Sequence, residues 1–246
     1  VRVTVVIPCY NEEKRLDVAA FRDFRGASFL FVNDGSTDGT LQLLRSSGFD
    51  VLNLERNSGK AEAVRRGIVQ AMESADVVGF WDADLATPLD EITGFIDILT
   101  QRPATEMVLG ARVRLLGRDI QRHASRHYFG RVGATLISQT LGLAVYDTQC
   151  GAKLFRVNDT MRQIFATPFL SRWIFDVEII ARFLQLRGRA DVVRGIYELP
   201  IKTWHDVAGS KVKGRDFIRA LRDLSKIRRA YNIRSQVAGG GPQERK

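Results

Sequence analysis

Cysteine is almost missing from this chain. Its two copies, Cys9 and Cys150, are too few for a disulfide framework and allow at most one bridge, so a reducing compartment is the default. No apolar run approaches the roughly 20 residues needed to cross a bilayer, and no secretory leader pattern is expected at the start. Any membrane contact is therefore expected to be peripheral. Low complexity is confined to Gly239–Lys246, and residues 236–246 read as a flexible tail. There is no internal repeat. Histidine is scarce as well. His123 and His127 have zinc-helix spacing, but Ala124 stands where such a helix needs glutamate and no third ligand is evident, which argues against a zinc protease. Acidic residues fall short of basic ones, 28 against 37, leaving a net charge of +9. That excess points to an anionic partner: nucleic acid, an anionic membrane surface or a phosphorylated substrate.

What is present is ordinary for a globular protein, with 45% hydrophobic and 26% charged residues in a chain long enough for one large α/β domain or two small ones. The informative stretch is Val77 to Pro88. An apolar run reads as a buried strand and ends in Asp82-Ala83-Asp84. Strand alternation sends both carboxylates to one side, where they could share a divalent cation, Mg2+ or Mn2+. In open α/β sheets that edge is where ligands bind, so a nucleotide diphosphate could be clamped there. Taken alone, two such aspartates are more often a solvated turn.

The flanking sequence repeats the arrangement. Val3–Ile7 reads as a central parallel strand stopped by Pro8, with a loop at Cys9–Glu13 and a helix near 16–24. Phe29–Val32 is a second strand, followed by Asn33-Asp34-Gly35-Ser36. Ser36, Thr37 and Asp38 are N-cap types for a helix that Gly48 closes. Val51–Leu54 is a third strand, and Asn57-Ser58-Gly59-Lys60 opens a helix with Ala61, Val64, Ile68, Ala71 and Met72 on one face. Three strand-loop-helix units ahead of the aspartate strand make a Rossmann-like, mostly parallel sheet. Its polar loops share one edge and gather Tyr10, Glu12, Asp34 and Lys60 beside the carboxylate pair.

The second half, from about residue 116, is read as a basic and apolar segment from Arg118 to Leu143 forming one or two helices. A turn into a strand over Asp147–Phe155 follows, then a helix entered through Arg172–Ile180. Val192-Val193 and Ile196–Leu199 read as strand material, and Trp204–Lys211 as a loop. The last element, roughly Gly214 to Tyr231, repeats Phe217, Leu221, Leu224 and Ile227 against arginines and lysine. It is a basic amphipathic helix, suited either to a membrane surface or to packing on the domain.

Val6-Ile7-Pro8-Cys9-Tyr10-Asn11-Glu12, Val32–Ser36, Asn57–Lys60 and Asp82-Ala83-Asp84, in that order, resemble the nucleotide-sugar half of family-two glycosyltransferases of the GT-A fold. Asp147–Phe155, Arg172–Glu178 and Trp204–Lys211 are similar to the dolichyl-phosphate β-glucosyltransferase branch, and the likeness runs from Val3 to about Tyr231. Two departures stand out: the eukaryotic members carry an amino-terminal membrane helix, where this sequence opens on the first strand, and Ala86 replaces a residue often polar in relatives.

The resemblance implies one GT-A domain over residues 1–235, an α/β fold with a donor half to 115 and an acceptor half over 116–235. It implies that Pro8, Tyr10, Asn11, Glu12 and Asp34 hold the nucleoside, with Lys60, Asp82, Ala83 and Asp84 at the diphosphate and the metal on Asp82 and Asp84. Asp147 takes the place of the acceptor-side aspartate and, with Asp84 and Arg112, is expected at the reaction centre. Arg112, Lys153, Ser210 and Lys211 are candidates to grip phosphate. The expected reaction is inverting, metal-dependent transfer of a hexose, with glucose from UDP-glucose favoured, to a polyprenyl phosphate on the cytoplasmic face of a membrane. GDP-mannose, a soluble acceptor, a sugar-nucleotide pyrophosphorylase and a non-catalytic basic binding module are the alternatives. The pyrophosphorylase Gly-rich loop is absent after the first strand. Nucleic acid is not expected, because the basic segments interleave with apolar rather than stacking aromatic residues.

Overall fold

The computed structural model describes residues 1–121, 124–205 and 214–233, with side chains outside 124–131 and 214–218. Its centre is a seven-stranded sheet in the order β3-β2-β1-β4-β7-β5-β8. The strands are β1 (Val3–Cys9), β2 (Ser28–Asp34), β3 (Asp50–Leu54), β4 (Val77–Trp81), β5 (Met107–Ala111), β7 (Ala152–Arg156) and β8 (Ile196–Pro200). A short parallel pair, β6 (Asp119–Gln121) with β9 (Thr203–His205), lies beyond the ends of β5 and β8. The helices are α1 (Val18–Asp23), α2 (Thr40–Ser46), α3 (Lys60–Ala71), α4 (Glu91–Gln101), α5 (Ala124–Leu141), α6 (Asp159–Ala166), α7 (Phe175–Gly195) and α8 (Gly214–Ala230). Among the described residues, no helix is long and apolar enough to cross a membrane.

The unalternated β-branched strands are explained by burial on both faces. On one face Val6, Val32, Phe80 and Phe155 pack with Val64 and Ile68 of α3 and with α6 and α7. On the other, Val5, Ile7, Phe31 and Trp81 pack with Phe21 of α1, Leu44 of α2 and Phe95 of α4. Full burial of one such side chain contributes about 1.5–3 kcal/mol.

The element that positions the site is β7. It runs antiparallel between β4 and β5, with Trp81 opposite Ala152 and Leu109 opposite Lys153. An antiparallel strand begins at the edge where its parallel neighbours end. Asp147–Gly151 therefore enter the sheet beside the carboxyl ends of β4 and β5, although they lie far along the chain. The expected donor and acceptor halves consequently share one sheet.

Several local expectations are corrected. Pro8 does not stop β1; the strand continues to Cys9, with Pro8 opposite Val32. Pairing with β4 ends at Val6, so the missing Pro8 N–H breaks no ladder there. Helix α2 begins at Thr40 behind Gly39 rather than on a Ser36, Thr37 or Asp38 cap, although Asp38 Oδ1 accepts from Thr40 N at 3.0 Å. Residues 119–121 form β6 instead of opening a helix, and Trp204 lies in β9 instead of a loop. Val192 and Val193 belong to α7, which bends at Gly188 and buries Val192 as a helical residue. The carboxyl-terminal helix is present as α8 and packs on the domain, burying Leu224 and Ile227 beside α5 and α7. His123 and the 236–246 tail lie outside the described residues, as does the His127 side chain.

Candidate active site

The site is built from loops at one edge of the sheet. At the end of β1, Asn11 takes a positive φ of 55° and ties its loop to the one after β2. Its N–H donates to Ser36 Oγ at 3.0 Å, and its Oδ1 accepts from Thr37 N at 2.9 Å. Glu12 N donates to Thr40 Oγ1 at 2.8 Å, while the Glu12 carboxylate takes both arms of Arg15 at 2.7 and 3.0 Å. Pro8 lies within β1 beneath this loop, paired with Val32. Tyr10 is exposed on it.

Asp34, at the end of β2, is buried and accepts from Ser58 N at 2.7 Å and Gly59 N at 2.8 Å. It thereby orients the start of α3 and with it Lys60. Burial raises its pKa, opposed by the two N–H donors and by Arg172. Arg172 reaches this corner from far along the chain. Its guanidinium lies against Gly59, where an added Cβ would come within 2.7 Å of Nε, and it donates to Asn57 Oδ1 at 3.2 Å.

Asp82 pairs with Lys60 Nζ. A Cβ at Gly151 would stand 1.8 Å from Asp82 Oδ2, so only glycine lets the start of β7 lie against this carboxylate. Buried Ala83 spaces the two aspartates, and Asp84 Oδ1 accepts from Ala86 N at 3.1 Å. The turn is held by Leu85 at φ 53°, by Trp81 Nε1 donating to Thr87 O at 2.7 Å, and by His205 N donating to Ala86 O at 3.1 Å. Burial and then the like charge of Asp82 raise the pKa of Asp84, against the Ala86 N–H, Lys60 and Arg15. For Lys60, burial works against the ammonium, but Asp82, Asp176 and Asp84 outweigh it and raise its pKa.

On the other side, Arg112 follows β5 and clasps Asp147 with Nε–Oδ2 at 2.7 Å and Nη2–Oδ1 at 2.8 Å, while its backbone N–H donates to Oδ2 at 3.1 Å. Glu198 of β8 accepts from Tyr146 N at 2.8 Å and Asp147 N at 2.9 Å, fixing the Asp147 turn from below. Arg112 also lies over the Trp204 ring at 5.4 Å. Burial would lower its pKa, but Asp147 overrides this and drives it up, with a further push from Asp82. Asp82, just past the end of β4, therefore acts on this pair as well.

Lys153 requires a correction as a phosphate grip. Its side chain is 1% exposed, its Nζ donates to the Cys150 carbonyl, and it stands 2.6 Å from Asp176 Oδ1 and 5.1 Å from the Phe80 ring centre. It supports the floor of the site from within. Ser210 and Lys211 lie outside the described residues. Cys9 and Cys150 are both free and buried, and burial pushes the Cys9 thiol far up, which removes it as a nucleophile. Sequence reasoning missed Arg172, Asp176 and Glu198 as members of this cluster. Asp176 and Arg172 lie in a stretch already singled out, but nothing in the period of β8 marks Glu198.

The donor set suits a hard divalent cation. Among the described residues no group of three or more His, Cys, Asp or Glu could hold a metal. Two carboxylates that repel each other, one of them with a raised pKa, match a site that takes one or two protein carboxylates and completes its shell with phosphate and water.

Residues 4–162 match the model of glycosyl transferase family 2. The chain is 32% identical to the dolichyl-phosphate β-glucosyltransferase of Saccharomyces cerevisiae, covering 93% of this chain and 75% of the yeast protein. It is 31% identical to the Dictyostelium discoideum protein of the same name, covering 93% and 74%. In fold it is similar to glucosyl-3-phosphoglycerate synthase of Mycobacterium tuberculosis, solved with Mn2+, UDP-glucose and phosphoglyceric acid. There the TM-score is 0.67 at 18% identity, over 92% of this chain and 79% of that one. A parallel sheet edge lined by polar loops, a paired-aspartate turn at the end of β4 and these likenesses converge: the chain is a glycosyltransferase of the GT-A fold and belongs to glycosyl transferase family 2.

Proposed function

We propose that this enzyme transfers glucose from UDP-glucose to a polyprenyl phosphate of the dolichyl type, inverting the anomeric carbon, from a peripheral position on the cytoplasmic face of a membrane. The observation that carries the reading is the meeting of the Asp82–Asp84 turn with the Arg112–Asp147 clasp on one sheet edge. The first is suited to a nucleotide diphosphate and the second to an anionic acceptor. The reaction named for the yeast and Dictyostelium relatives supports the choice of sugar and lipid.

Pro8, Tyr10, Asn11, Glu12 and Asp34 form the nucleoside side, and Lys60 faces the diphosphate. Asp82 and Asp84 would hold Mg2+ or Mn2+, which when bound neutralises charge on the departing diphosphate as a Lewis acid. A phosphate monoester with a second pKa of about 6 is already a nucleophile at neutral pH, so no strong base is needed. Asp147 fits that chemistry: both its oxygens are engaged by Arg112, so it orients the guanidinium rather than waiting for a proton. Arg112 retains N–H donors for the acceptor phosphate, and Ser210 and Lys211 are assigned to the same group.

The test is nucleotide release and sugar transfer with UDP-glucose beside GDP-mannose, each with and without a short-chain polyprenyl phosphate. Lipid-dependent UDP release that EDTA and Asp84→Ala abolish is the expected result. Release indifferent to the lipid replaces the acceptor with a soluble one, release from GDP-mannose alone replaces the donor, and neither binding nor turnover returns the chain to a basic binding module.

A further inference from the structure

The segment between β5 and β6 has no place in the catalytic cluster, yet it is rooted in it. It leaves the sheet at Arg112, which Asp147 holds, and re-enters at Asp119, whose N–H donates to Lys202 O at 2.9 Å where β6 meets β9. Between these anchors, Leu115 O accepts from Arg118 N at 3.1 Å, and Gly117 has a φ of 79°. That is a tight turn with glycine at the third position, where a side chain would be strained. The residue it lifts to the tip is Leu116, fully exposed at 105%, with Leu115 at 49% beside it. A leucine pair at a turn tip forgoes the gain that burial would bring, and this turn is pinned at both ends, so the exposure is built in.

The surrounding charge says what covers it. Arg114 and Lys202 are exposed and Arg118 is partly so; the nearby acid, Asp119, lies 2.7 Å from His205 Nε2. Exposed leucines flanked in the chain by Arg114 and Arg118, with Lys202 where the segment re-enters, match the interface of an anionic bilayer, where leucines enter the acyl boundary and arginines stay at the headgroups.

We propose that the Leu115–Arg118 turn inserts into the membrane surface and seats the Arg112–Asp147 clasp at headgroup depth, where the phosphate of a lipid acceptor lies. This rests on the reading of the acceptor as a polyprenyl phosphate, and it names the contact surface that reading leaves open.

The experiment uses the whole chain with phosphatidylcholine vesicles, with and without phosphatidylserine. Because Cys9 and Cys150 are buried, Leu116→Cys can be labelled selectively with an environment-sensitive fluorophore. The label is expected to brighten and shift blue on vesicles, more so with phosphatidylserine. The Leu115→Ser/Leu116→Ser double variant is expected to float with vesicles at least about tenfold less than the unaltered protein, since two leucines no longer enter the lipid. Transfer to a short-chain polyprenyl phosphate in solution should be unchanged in the double variant, and transfer to a long-chain acceptor in vesicles should fall. A protein that floats while the label stays unmoved, or a double variant that floats like the unaltered chain, overturns the proposal. So does a blue shift that follows protein concentration without lipid, which would make the tip a contact between copies. Failure of the unaltered protein to use any polyprenyl phosphate overturns the acceptor reading, while the vesicle arms still decide the turn.

Discussion

Two clusters of charge in this molecule look alike in composition and differ in how they are settled. Beneath α7 and α8, Glu178 and Arg182 are buried, and every strong donor is used. Arg182 donates to the carbonyls of Ile164, Thr167 and Pro168 at 2.6–2.8 Å, to Glu178 at 2.8 Å and to the Tyr231 hydroxyl at 3.0 Å. Glu178 accepts in turn from Tyr231 and from Leu170 N. At the edge of β4, Asp82 and Lys60 are part-exposed, and Asp84 is held near a like charge with a raised pKa. A satisfied cluster fastens helices together; an unsettled one waits for a ligand to complete it. Charge density alone does not separate the two, and exposure with incomplete pairing does.

The strongest way to break the contrast is Arg182→Met. It strands a buried glutamate and three carbonyls, so a loss of about 3–5 kcal/mol is expected in denaturant unfolding, with activity following the folded fraction. Lys153→Met asks on which side of the line that lysine falls. As a buried support for Asp176 it should cost about 3 kcal/mol and lower the melting temperature, whereas a surface grip would leave stability intact and weaken acceptor binding alone. Asp84→Asn sharpens the contrast from the other side. Transfer should fall at least about a hundredfold, while metal-free stability holds or rises because a repelled, partly desolvated carboxylate has gone. A fall in stability matching that of Arg182→Met would place Asp84 with the structural charges.

The smallest effect is read from pH. Burial and its bond to Glu178 push the Tyr231 pKa up to about 12, against about 10 in an unfolded chain. Between those values the folded state keeps a proton that the unfolded state has lost, so this tyrosine's stabilising contribution declines as pH rises through the window. In Tyr231→Phe that part of the alkaline slope should vanish.

Much of the loop-lined edge proposed to hold the donor was readable because each of its parts is local. A β-branched run, a breaker and a polar loop name the end of a parallel strand, and four in succession name the edge they share. Asp34, Lys60, Asp82 and Asp84 follow from that. What could not be read depends on partners distant in sequence. Nothing in Ala152–Arg156 states that it runs against its neighbours, so the fate of Lys153, turned inward onto Asp176, was hidden. Val192 is apolar and β-branched, and only the packing of α7 makes it helical. Glu198 looks like any strand acid until the turn at Asp147 is placed above it.

The reversed strand β7 also carries a consequence for synthesis. Both sheet neighbours of β5 come later in the chain, and β7 starts about 40 residues after β5 ends. At ribosomal rates of about 5–20 residues per second, β5 emerges and then waits roughly 2–8 seconds without a pairing partner, while β4 keeps one side bare over the same interval. A nascent chain that has emerged only to about residue 115 presents β5 unpaired and β4 paired on one side alone. The enzyme's period of greatest danger is therefore its own translation.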